Sequence, residues 1–257
     1  MLKNKIVVVT GGAGLIGSSF VEALVCNGAT AIIADINLAY ANQLKEKLIS
    51  RYHSANIECV SLDTTSKESL KDCICYLDNK YGRIDALVNS AYPKTKNWGK
   101  KNFYEVEYED FCLNMNLQMG GYLLSSQQFT IYFKRQGFGN IISMSSIQGV
   151  YAPKFDTYKG TNMDSPIEYS IVKAGINHMT RYLAKYLANT GIRVNAIAPG
   201  GILENQPESF LNRYREYCTS KGMLDAKDLN GALVFLLSDA SKFINGQILV
   251  IDDGWGL

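Results

Sequence analysis

The stretch "KIVVVTGGAGLIG", residues 5–17, decides the fold. Its first half is a short run of Ile and Val, apolar on both faces in the way of a buried parallel strand. The run ends in glycines at 11, 12, 14 and 17, and a helical pattern follows at once. Glycine there permits a tight turn and lets backbone approach a phosphate, which then rests on the exposed N–H groups of the helix start. Lysines precede the run, as in a signal peptide, but "IVVV" is too short for an apolar signal core, so a strand is expected.

Working outward, the same alternation continues along the chain. Strands are predicted at residues 5–10, 29–34, 57–62, 84–89, 140–143, 193–198 and 247–251, and helices at 15–27, 38–51, 67–81, 108–136, 166–189 and 226–237. That alternation predicts an α/β fold with a doubly wound, Rossmann-type parallel sheet of about seven strands and helices on both faces. No linker or repeat divides the 257 residues, so a single domain is expected. Segments 151–165 and 203–222 break the rhythm, and irregular segments in such folds often line the active site. Asp35 closes the second strand, where a carboxylate can accept from both hydroxyls of an adenosine ribose and repel a 2′-phosphate. Neither Ile36 nor Asn37 is a cation, which favours NAD over NADP.

The composition excludes several classes of function. Charge is balanced at a formal +2, without the basic excess that a nucleic-acid or acidic-membrane surface requires. No apolar run approaches membrane-spanning length. Six scattered cysteines and two histidines form no metal-ligand spacing, so no metal and reduced thiols in a cytoplasmic protein are expected.

Near the middle stands "EYSIVKAG", residues 168–175, with Tyr169 and Lys173 four apart. The same spacing recurs at Tyr76/Lys80, Tyr92/Lys96 and Tyr217/Lys221, so the bare pattern is weak in a chain with 16 tyrosines. On a helix the two side chains share one face, and an ammonium beside a phenol favours phenolate. A pKa lowered by roughly two or three units from about 10 would make Tyr169 a general base at neutral pH.

Context separates the four pairs. In order come the glycine turn, Asp35, Asp63 in "SLDTT", Asn89 and Ala91 in "VNSAY", Asn116 in "MNLQMGG", Ser146 in "ISMSSIQG", the Tyr169 pair, then Pro199 and Gly200 in "APGGI". From Lys5 onward the chain resembles the single-domain short-chain dehydrogenases/reductases. The other three pairs lack that company. The resemblance implies that Tyr169 exchanges a proton with the substrate oxygen and that Lys173 lowers its pKa and binds the nicotinamide ribose. It further implies that Ser146 steadies the reacting oxygen and that Asn116 serves the proton relay. Gly149, three residues on, selects Ser146 over Ser145, and the following Leu117 selects Asn116 over Asn114. Cofactor contacts are expected from Gly11, Gly14, Leu15, Ile16, Gly17, Asp35, Asp63, Thr64, Asn89, Ala91, Tyr169, Lys173, Pro199, Gly200 and Ile202. Family members pair their long helices, here 108–136 and 166–189, so a homotetramer or homodimer is expected. Tyr169, Tyr182 and Tyr186 on the second helix suit either that pairing or core packing.

Three departures stand out. Tyr92 replaces the glycine that ends the family's Asn-Asn-Ala-Gly element. Glycines at 11, 14 and 17 carry the spacing of relatives that epimerise or dehydrate nucleotide sugars, with Leu15 in the usual place of a glycine. Only 57 residues follow Gly200, too few for those relatives' C-terminal substrate domain. The stretch between Ser146 and Tyr169 is also longer than usual, and it is rich in aromatic and polar residues. Gln148, Lys154 and Tyr158 are its candidate substrate contacts, and the composition suits a sugar derivative better than a steroid or acyl chain. With "PGGILENQPE", the stretch resembles dehydrogenases of bacterial flagellin-glycan and surface-sugar pathways. The expected activity is therefore an NAD-dependent oxidoreductase acting on a hydroxyl or carbonyl of a sugar derivative. A nucleotide-sugar epimerase or dehydratase with tightly bound NAD, and a non-catalytic NAD-binding regulator, are the alternatives.

Overall fold

A computed structural model describes residues 1–257. The strands are β1 (Ile6–Thr10), β2 (Thr30–Asp35), β3 (Asn56–Ser61), β4 (Ala86–Asn89), β5 (Gly139–Met144), β6 (Ile192–Pro199) and β7 (Ile248–Ile251). They form one parallel sheet in the order β3-β2-β1-β4-β5-β6-β7. The helices are α1 (Leu15–Cys26), α2 (Leu38–Arg51), α3 (Lys67–Tyr81), α4 (Tyr108–Met115), α5 (Gly121–Gln136), α6 (Ile167–Tyr186), α7 (Glu208–Arg215) and α8 (Asn230–Leu237).

Side-chain alternation along the strands explains why the sheet is covered twice. Val7, Val9, Ala31 and Ile33 face a core shared with Phe20 and Leu24 of α1, Leu48 of α2 and Leu233 of α8. Their neighbours Ile6, Val8, Ile32 and Ala34 face the opposite core, with Leu70 and Leu77 of α3 and Phe129 and Phe133 of α5. Each face buries its own apolar layer, so the sheet lies between two helix layers. No helix is long and apolar enough to cross a membrane.

Two predicted elements differ from the structure. The helix expected over 108–136 is α4 and α5 joined by a π-helical turn, Asn116–Gly120. The segment 203–222, expected to be irregular, contains α7, which buries Phe210 and Tyr214. Pro207 stands at its N-cap with extended backbone, a start signal present in the sequence.

The strand order positions the site. The chain winds outward from β1 to β3, then returns across β1 to begin β4. The β1/β4 boundary is the reversal point, and the crevice beyond the carboxyl ends of these strands is where such sheets bind ligands.

Candidate active site

At that crevice the structure opens a cavity of about 910 Å³ with two chemically distinct ends. The first is the glycine turn. Gly11 has φ +62, and a Cβ there would lie 2.6 Å from the Cα of Ala91. A Cβ on Gly17 would lie 2.2 Å from the carbonyl oxygen of Gly11. Side chains at either position would push the turn off β4 or off the helix, so only glycine keeps the start of α1 at the cavity. The α1 N-cap, Gly14, carries no side-chain capping bond, leaving the first-turn N–H groups for a ligand. Leu15 lines the wall at 49% exposure.

Asp35 lines the same end, with Asp63 and Thr64 beside it. One Asp35 oxygen accepts from the N–H of Ala13 (3.0 Å) and the other from that of Asn37 (2.9 Å). The carboxylate therefore braces the glycine turn from below, and each oxygen keeps a further lone pair. Asp63 holds its own loop by accepting from the Thr65 N–H (2.8 Å) and hydroxyl (2.7 Å). Ala91, Ile16, Pro199, Gly200 and Ile202 complete this half. The glycine cradle, its bare helix start and the ribose-height carboxylate fit a dinucleotide.

Asn89 differs from the expectation. It is buried behind the wall, its amide nitrogen donating to Ser126 Oγ (3.1 Å) and Ser143 Oγ (3.5 Å). It ties β4 to β5 and α5, and does not line the cavity. The close approach to Gly11 belongs to Ala91.

Between the two ends stand Ser146, Tyr169 and Lys173. Ser145 and Ser146 both follow β5, but the Ser145 hydroxyl donates to the Lys173 carbonyl (3.2 Å) and so serves the helix. Ser146 lines the cavity with Tyr169 and its hydroxyl accepts from the Gln148 N–H (3.2 Å). Lys173 is buried and donates from Nζ to the Met144 carbonyl (2.8 Å).

The pKa directions reverse the expectation for the tyrosine. Burial pushes the Tyr169 phenol above its ordinary value, the Ser146 hydroxyl pulls it back, and Tyr158 adds to the rise. Burial brings Lys173 down to about 7. Burial thus holds both groups toward neutrality, and the lysine Nζ is directed to a carbonyl.

Asn116 is not brought to these three. It is exposed, opens the π-helical turn and is absent from the cavity wall. Asn114 is the buried one, with its amide nitrogen 3.4 Å from Glu168 Oε1, next to Tyr169 in sequence. The π-helical turn shifts the helix register at this point, which residue spacing alone does not disclose.

The far end of the cavity is built from the two rhythm-breaking segments and the last residues of the chain. Gln148 accepts from Ser165 Oγ (2.9 Å) and Ser170 Oγ (3.2 Å) and donates to Tyr158 Oη (3.4 Å). Tyr158 packs on Phe210 of α7, ring centroids 5.2 Å apart. Lys154 donates to the Trp255 carbonyl (2.7 Å) and lies over the rings of Tyr217 (4.2 Å) and Trp255 (4.6 Å). Asp253 accepts from the N–H groups of Ser220, Lys221 and Gly222 and from the hydroxyls of Thr219 and Ser220, which holds its carboxyl well below the usual range. The insert, the α7 segment and the chain end thus form one wall.

Sequence reading missed Tyr92, Glu204, Phe210, Tyr214, Met223 and Trp255, all of which line the cavity. Phe210 and Tyr214 repeat at i and i+4, a helical signal; nothing in the sequence marks Trp255. Two of the discarded Tyr-x-x-x-Lys tyrosines also belong here, Tyr92 beside Tyr169 and Tyr217 beneath Lys154. Tyr76 stays on the outside of α3, where it and Lys80 bind Glu58.

Comparison with known proteins agrees with this geometry. Residues 12–256 match a family model described as enoyl-(acyl carrier protein) reductase. The chain is 52% identical over 257 residues to the post-translational flagellin modification protein A of Campylobacter coli, covering 100% of both. It is 30% identical to the 7alpha-hydroxysteroid dehydrogenase of Bacteroides fragilis, over 98% of this chain and 94% of that one. Among solved structures, a short chain dehydrogenase from Leptospira borgpetersenii with bound NAD+ superposes with a TM-score of 0.87 at 33% identity, covering 100% of this chain and 94% of that one.

Proposed function

The chain belongs to the short-chain dehydrogenase/reductase family and is an oxidoreductase acting on CH–OH or carbonyl groups, and from that premise we propose that it uses NAD to interconvert a hydroxyl and a ketone on a sugar derivative. The observation that carries this reading is a single cavity with Ser146, Tyr169 and Lys173 between a dinucleotide cradle and a wall of aromatic and polar side chains.

When bound, the nicotinamide supplies the hydride chemistry. The chain's residues do the rest. The first turn of α1 and the glycine turn hold the pyrophosphate, and Asp35 takes the adenosine ribose hydroxyls. Its negative charge, with Ile36 and Asn37 following, supports NAD over NADP. Ser146 donates to the reacting oxygen. Tyr169 takes the hydroxyl proton during oxidation and returns it during reduction, and Lys173 in its charged form favours the phenolate. Lys173 also holds the nicotinamide ribose. Gln148, Lys154 and Tyr158 line the substrate end. Hydroxyl and amide groups there suit a sugar, and the relationship to a flagellin modification protein supports that class.

A homotetramer or homodimer through α5 and α6 completes the reading. Tyr182 and Tyr186 are 59% and 71% exposed and stack on each other at 5.9 Å, so they are available to a second copy and are not core residues.

The test is a screen of sugar phosphates, nucleotide sugars and free sugars for NAD-linked absorbance at 340 nm, with Tyr169→Phe alongside. Net NADH formation that Tyr169→Phe abolishes while still binding NAD is expected. Turnover without net NADH would favour the epimerase or dehydratase reading, to which the glycine spacing lends some support. Full activity in Tyr169→Phe would overturn the mechanism.

A further inference from the structure

Tyr92 stands where the family pattern places glycine, and it changes the surroundings of Lys173. The ammonium lies 5.6 Å from the Tyr92 ring centroid, 5.5 Å from Tyr122 and 5.5 Å from Tyr169. Three aromatic rings therefore surround one buried cation, all within the roughly 6 Å over which a ring face attracts it. Its hydrogen bond goes to the Met144 carbonyl, and no carboxylate pairs with it. Tyr92 is itself held in place. Its ring meets Trp98 edge-on at 5.7 Å and Tyr169 at 5.8 Å, and Trp98 closes the triangle on Tyr169 at 6.2 Å.

We propose that Tyr92 is a positioning residue: its ring, braced by Trp98, completes an aromatic cage that keeps the Lys173 ammonium charged beside the Tyr169 phenol. A buried ammonium without a carboxylate loses its hydration, and the negative faces of surrounding rings replace part of it. A glycine at position 92 would supply none of that attraction. The other titratable groups around the cage are consistent with this role. Tyr92 and Tyr122 are both held neutral by burial. Lys94 lies on the Tyr92 ring from outside, at 4.9 Å. Glu168, on α6 itself, faces Asn114. Tyr158, from the insert, faces Tyr169 across the cavity.

The inference depends on Lys173 serving as the cation of the catalytic set, and its test uses neither substrate nor cofactor, so failure of the sugar assignment leaves it standing. Lysine labelled with ¹³C at Cε is titrated by NMR in the full chain, with Lys173→Arg identifying the resonance. Tyr92→Leu keeps apolar bulk and removes the ring; Tyr92→Phe keeps the ring and removes the hydroxyl. The Lys173 midpoint should fall by about half a pH unit in Tyr92→Leu, the shift that one weak cation–π contact corresponds to. It should stay at the wild-type value in Tyr92→Phe. An unchanged or raised midpoint in Tyr92→Leu overturns the proposal, and so does an equal fall in both variants. Should Tyr92→Leu fail to fold, Tyr92→Met gives the same comparison.

Discussion

Gly149 offers the sharpest test of how the catalytic groups are held together. It ends the turn after Ser146, and that turn lies directly on the backbone of α6. A Cβ on Gly149 would lie 2.5 Å from the carbonyl carbon of Lys173, 2.6 Å from its oxygen and 2.8 Å from Asn177 Nδ2. The Asn177 amide in turn donates to the Gly149 carbonyl (2.9 Å). Two of the three obstacles are backbone, so no rotamer change relieves them. Ordinary contact begins near 3.4 Å, and turn and helix must therefore part by about 0.9 Å in Gly149→Ala. Ser146 moves with the turn, Tyr169 and Lys173 with the helix. A displacement of about 1 Å between reacting groups costs on the order of 100-fold in rate, and overpacking of this kind costs about 1–3 kcal/mol. We expect kcat to fall about 100-fold in the NAD-linked assay, and the Tm to fall by about 5 °C. NAD affinity should fall less than kcat, because the glycine turn and Asp35 lie on the other side of the sheet reversal and only the Lys173 contact moves. Gly231→Ala is the control: Gly231 lies in α8 with nothing within 4 Å of an added Cβ, so Tm should hold or rise. Wild-type kcat and Tm in Gly149→Ala would refute the close seating of turn on helix.

Two further outcomes follow from the same geometry. Asp35→Ser with Ile36→Arg should weaken NAD binding at least tenfold and reverse the preference toward NADP, measured as the ratio of kcat/KM for the two; an unchanged ratio would remove Asp35 from the ribose. Lys173 has a folded pKa of about 7 against an ordinary 10.5, so between those values the unfolded chain holds the extra proton. Lys173 therefore costs stability below about pH 7, and the cost is relieved as pH rises through the window. Lys173→Met should be more stable than wild type at pH 6, by a margin that shrinks toward pH 10; a margin independent of pH would contradict burial as the cause.

What sequence could and could not disclose divides along a physical line. Local signals carried far: α2 and α3 begin and end where predicted, because Asn37 and Ser66 are capping residues whose side chains accept from Tyr40 N–H and Ser69 N–H. The central strands β1 and β4 are legible because both their faces are buried and all but their last positions are apolar. Properties set by partners distant in the chain were not visible. The π-helical turn moved Asn116 outward, and Asn89 turned out to support the wall from behind. The edge-on contact of Tyr92 with Tyr169 is one its own Tyr-x-x-x-Lys spacing does not encode. The reversed pKa direction of Tyr169 depends on burial, which the i, i+4 spacing with Lys173 does not contain.

The wall formed by Lys154, Tyr158, α7 and Trp255 has a consequence for how the protein comes into being. Chains emerge from the ribosome N-terminus first. The glycine turn and Asp35 have been made long before Trp255, the residue whose carbonyl fastens Lys154. The glycine turn and Asp35 can therefore take shape on the nascent chain, whereas Pro199, Gly200 and the substrate end wait for the last strand. The two parts meet at Gly201, whose N–H donates to the Tyr214 hydroxyl (2.7 Å), so the late-made wall is seated on the "PGG" turn that follows β6.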